Sequence, residues 1–142
     1  MKVERMMMQS TLLKPKMALV AAIVAIGFGL ATIKSGGSVL FVDGAARASA
    51  GNYVPFVLWF NFLAGFVYII AGIGLFLWRS WAVKLSLLIA IATVLVFAVF
   101  ALYSLLGGAF ELRTFGAMAL RSTVWLVIAY FSFKAWRRQE PP

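Results

Sequence analysis

The chain has 142 residues, 64% of them hydrophobic and 12% charged, against roughly 45 to 50% and 25% in soluble domains, so a water-soluble core could not absorb its apolar surface. It holds neither Cys nor His, which removes disulfides, thiolate redox chemistry, His/Cys zinc sites, bis-His haem and Ser-His-Asp catalysis together. The net charge of +9 would suggest nucleic acid in a soluble protein, but the cations flank apolar runs, and a lipid bilayer is the partner they imply.

A basic start precedes the first apolar run, the general layout of a secretory signal peptide. The run is long for that role and no small-residue cleavage site follows it promptly, so it reads as a span, residues 17–33, bracketed by Lys16 and Lys34. Met6, Met7 and Met8 are read as N-terminal residues, alternative starts beside Met1, or a soft Cu(I) site. The reading taken forward has no metal and no cofactor.

Residues 34–52 form the longest expected outer loop, and loops of that length are functional or carry structure of their own. Gly36-Gly37 opens it, an apolar patch Val39 to Val42 follows, Asp43-Gly44 signals a turn, and Ala45 to Ala50 is expected to form a short helix. A second span covers residues 53–78 and a third 81–106, joined by a polar turn at Arg79 and Ser80 into an antiparallel hairpin. Small residues recur in the second span at Ala64, Gly65, Ala71 and Gly72. In lipid, helices associate by close backbone approach at such positions, so this is a helix-packing face, turned to a neighbour in the bundle, to another copy, or to another membrane protein.

The fourth span, residues 115–136, carries Arg121 near one end. Twelve uncharged residues separate Arg121 from Lys134, about 20 Å of helix against a hydrocarbon layer of roughly 30 Å. Either both side chains snorkel outward, or Arg121 turns inward to pair with Glu111 and donate to Asn61 or Tyr103. Asn61 and Arg121 lie at matching depth, roughly 9 Å along their helices, with Tyr103 and Ser104 shallower. Trp125 shares the helical face of Arg121, so stacking of the two is also expected. These five residues, Arg121, Glu111, Asn61, Tyr103 and Ser104, form the candidate polar cluster.

The expected fold is therefore a single all-α membrane domain over residues 1–142, a four-transmembrane-helix bundle. Lys2, Arg5, Lys14, Lys16, Arg79, Lys84, Lys134, Arg137 and Arg138 fall on one side, and Lys34, Arg47, Arg113 and Arg121 on the other. Because cytoplasmic flanks carry the excess of Lys and Arg, both termini are expected in the cytoplasm, with a bacterial inner membrane as the setting. Gly36-Gly37 followed by Gly44-Ala45-Ala46-Arg47 echoes Gly107-Gly108 followed by Gly116 to Arg121, which suggests two hairpins in a parallel repeat.

The run AGFVYIIAGIGLFLWRSWAVKLSLLIA, residues 64–90, resembles the central hairpin of the DoxX-like family of small four-helix membrane proteins. That family usually places a Glu three residues after the first glycine, where this chain has Tyr68. The resemblance implies an accessory role beside a quinone-linked enzyme. With no acid/base pair and nucleophile at a recognisable spacing, no enzymatic activity is expected. Three functions remain: an accessory subunit binding a larger membrane complex through the small-residue face, a small-solute or anion transporter or channel with an outward vestibule around Arg121, and a quinone-contacting subunit of a redox complex.

Overall fold

Each expected span is helical. The computed structural model describes residues 2–3, 15–42 and 44–139; the methionine run Met6 to Met8 and the turn residue Asp43 lie outside them. Helix α1 is Lys16–Phe41, α2 is the short Ala45–Ala50, α3 is Pro55–Phe76, α4 is Ser80–Leu105 and α5 is Leu112–Gln139. All but α2 are long and apolar enough to cross a membrane. The shortest of the four, α3, has 22 residues, about 33 Å at the usual rise and enough for the hydrocarbon layer.

The sequence places the end of the first span at Ile33, whereas α1 continues to Phe41. Gly36-Gly37, read as a loop opening, is helical because it serves as a contact surface. A Cβ on Gly36 would come within 3.2 Å of the Phe62 Cβ, so α3 approaches closely there. The expected outer loop is thus half helix, and the remainder is largely α2, as the Ala45 to Ala50 run suggested.

The helices run up and down, with α1 and α3 packed most extensively, α4 and α5 next, and α3 joined to α4. The seam between α1 and α5 is the loosest of the four. This pairing suits two hairpins, but the glycine echo does not underlie it. Gly36-Gly37 lies within α1, whereas Gly107-Gly108 forms the turn after α4, with Gly107 at φ +92°.

Two turns end their helices in the same way. After α4, the Gly107 N–H donates to the Ser104 carbonyl and the Gly108 N–H to the Tyr103 carbonyl, the Schellman pattern with glycine in the left-handed position. After α3, Trp78 and Arg79 make the equivalent bonds to Leu75 and Gly74, with Trp78 itself at φ +52°. A tryptophan adopts this glycine conformation where its indole Nε1 donates to Gln139 at 2.8 Å and its ring packs 5.6 Å from that of Trp136. The α3–α4 turn is thereby tied to the end of α5.

Alanines share the interior with a few large side chains, Trp125, Tyr68, Phe100, Leu75 and Met118. Ala18, Ala22, Ala25, Ala71, Ala82 and Ala90 are buried, while Leu30, Leu63, Leu88, Leu95 and Leu120 stay exposed. Small residues let the backbones approach, and large apolar ones face a lipid-like surround.

Candidate functional site: a polar vestibule floored by Arg121

At the end of the bundle that carries α2, the helices part around an open cavity of about 410 Å³. Its floor is polar, with Thr32 from α1, Asn61 from α3 and Arg121 from α5. Apolar walls come from Val54, Val57 and Leu58, and the rim holds Ser49, Glu111 and Arg113.

Arg121 turns inward and retains 9% exposure. Its Nη2 donates to the Thr32 hydroxyl at 3.1 Å, and its guanidinium carbon stands 5.5 Å over the Phe28 ring. The Nε–H is buried with no acceptor. Of the two sequence alternatives the inward one is observed, but with different partners. Trp125 packs instead on Tyr68, with ring centroids 4.8 Å apart.

Glu111 and Asn61 reach the vestibule without meeting Arg121. The Glu111 Oε1 accepts the Asn52 N–H at 2.9 Å and holds the connection between α2 and α3, while the buried Asn61 Oδ1 has no donor. Arg113 donates to the Ser49 carbonyl and Arg47 donates to the Val39 and Leu40 carbonyls at 3.0 and 2.9 Å. The two arginines therefore hem α2 against the ends of α5 and α1.

Tyr103 and Ser104 are absent from the site. The Tyr103 hydroxyl donates to the Ala109 carbonyl at 3.2 Å, and Ser104 donates to the Phe100 carbonyl at 3.0 Å. Tyr103 thus braces the α4–α5 turn and Ser104 bonds within α4 itself, so neither side chain reaches Arg121. The Phe56 and Tyr103 rings pack there at 6.1 Å.

Thr32 and Phe28 are the contacts of Arg121 that the sequence did not single out. Thr32 carried a signal, as a polar side chain in an apolar run is costly and informative; Phe28 carried none. Below the floor the buried Tyr68 hydroxyl, Trp125 Nε1 and Ser122 Oγ also lack partners. Tyr68 lies wholly buried within the bundle.

The packing face Ala64, Gly65, Ala71 and Gly72 is buried and turned to α1. A Cβ on Gly65 would come within 2.7 Å of Ile33 Cγ1, and one on Gly72 within 3.1 Å of the Ala22 carbonyl oxygen. Of the three possible neighbours, a helix of the same bundle occupies it.

Fold and site together describe an all-helical bundle with four helices able to cross a membrane and a polar vestibule at one end. No family model matches the chain, nor does any curated protein or solved structure.

Proposed function

We propose that this chain is a non-enzymatic multi-pass membrane protein, of the transporter or channel class, whose vestibule admits a small anionic solute to Arg121. The carrying observation is the buried guanidinium at the vestibule floor, which meets no carboxylate among the described residues and keeps an unpartnered Nε–H. A buried charge without a counter-ion is costly, and an unsatisfied buried donor calls for a partner that the protein itself does not supply. A guanidinium presents a planar fork of donors suited to a carboxylate or phosphate, and the low local dielectric strengthens that attraction. The lysine and arginine bias supports cytoplasmic termini and an outward vestibule, and a bacterial inner membrane is the setting we propose.

The accessory-subunit reading rested on the face of Ala64, Gly65, Ala71 and Gly72, which α1 covers. The quinone reading has only the resemblance behind it. Neither is favoured by a particular observation.

The test is flux into proteoliposomes loaded in turn with chloride, phosphate, acetate and benzoate. Saturable flux of at least one anion, lost in Arg121→Ala, is expected. Absence of flux in the wild type, or undiminished flux in Arg121→Ala, would overturn the reading.

A further inference from the structure

A second concavity opens on the flank of the bundle and shares no lining residue with the vestibule. It occupies the loose seam between α1 and α5, has a volume of about 290 Å³, and is almost wholly apolar. On α1, Val20 and Val24 line it; on α5, Val127 and Phe131 do so. Its sole hydroxyl, that of Thr123, is already donated to the Ala119 carbonyl at 2.9 Å. The groove therefore offers no polar handle along its length.

Its end is different. Residues four apart share a helical face, so Lys16 continues the stripe of Val20 and Val24 on α1. Lys134, three residues beyond Phe131, continues the stripe of Val127 and Phe131 on α5. The helices are antiparallel, and both lysines are exposed at the same end of the groove. The Lys134 Nζ rests 5.7 Å over the ring of Tyr130 beside the groove, and an apolar slot about 10 Å long with two lysines in register with its end matches one acyl chain of an amphiphile with an anionic head.

We infer that this groove is a binding site for an anionic phospholipid, one of whose two acyl chains lies between α1 and α5 and whose phosphate is met by Lys16 and Lys134. Charge complementarity selects the anionic class, since basic residues near the headgroup layer attract acidic lipids by about 1 kcal/mol each. The seam is filled where the helices do not touch, so the lipid acts as a wedge closing the bundle. The inference is independent of any solute in the vestibule.

The experiment uses the full chain in detergent micelles, offered equal amounts of phosphatidylglycerol and phosphatidylcholine with identical acyl chains, with bound lipid counted by native mass spectrometry. The wild type should retain phosphatidylglycerol preferentially, by about five-fold for each lysine engaged. Lys16→Gln with Lys134→Gln should abolish the preference. Arg79→Gln with Lys84→Gln, which removes two exposed charges from the same end but away from the groove, should preserve it. Val24→Trp, which fills the slot, should reduce retention of both lipids, whereas Leu88→Trp on the outer face of α4 should not. Equal retention of the two lipids by the wild type would overturn the assignment. So would an equal loss of preference in both double variants, which would mark a diffuse surface charge, or unchanged retention in Val24→Trp.

Discussion

The Thr32 hydroxyl and the Arg121 guanidinium, 3.1 Å apart, join the first and last long helices across the vestibule floor. A hydrogen bond to a buried charge contributes about 1.5 to 3 kcal/mol. Thr32→Val should therefore destabilise the protein by about 2 kcal/mol, read as a lower thermal midpoint by circular dichroism in micelles. Arg121→Met should separate stability from function. The change removes the same bond but also a buried charge that meets no carboxylate among the described residues, whose burial is costly, so the variant should lose less stability than Thr32→Val while losing anion flux.

Two glycines in α1 predict opposite responses to one change. A Cβ on Gly29 would come within 2.7 Å of the Gly65 carbonyl oxygen, while nothing lies within 4 Å of one on Gly27. Gly29→Ala should cost about 1 to 3 kcal/mol through forced separation of α1 and α3. Gly27→Ala should gain up to about 1 kcal/mol from helix propensity. Thermal melts of the two variants side by side check the sign of each.

Arg47 caps α1 from outside it, through the Val39 and Leu40 carbonyls. Terminal carbonyls of a helix lack intrahelical partners, so Arg47→Met should fray the last turn of α1. Hydrogen exchange should quicken at the amides of residues 39–41 and stay unchanged at those of residues 20–30.

Gly51 sits at φ +63°, and a Cβ there would collide with the Glu111 carboxylate. Gly51→Ala should break the bond from the Asn52 N–H to Glu111, loosen the vestibule rim and accelerate exchange of the Asn52 amide. Glu111→Ala should do the same. Glu111→Gln, which keeps an acceptor oxygen, should hold the exchange rate near wild type.

How far sequence reaches is visible at α1 and at Arg121. Apolar length marked four spans, because a bilayer demands it, even with Lys84 in the third and Arg121 and Lys134 in the fourth, and depth alone brought Asn61 and Arg121 to one level. Gly36-Gly37 misled, since a glycine pair signals a turn in isolation and a close helix contact once Phe62 is opposite. Tyr103 and Ser104 misled for a related reason: depth along a helix says nothing of which neighbour that helix faces.

The sequence by itself determined an all-helical chain with four helices long and apolar enough to cross a membrane, and the presence of a costly cation in the fourth. Both follow from composition summed over each segment. Only the tertiary structure decided that Arg121 turns inward to Thr32 and Phe28, that α1 takes the small-residue face of α3, and that a gap stays open between α1 and α5. Each of these depends on the rotation of helices about their own axes, which near-uniform hydrophobicity leaves open and which close backbone packing settles.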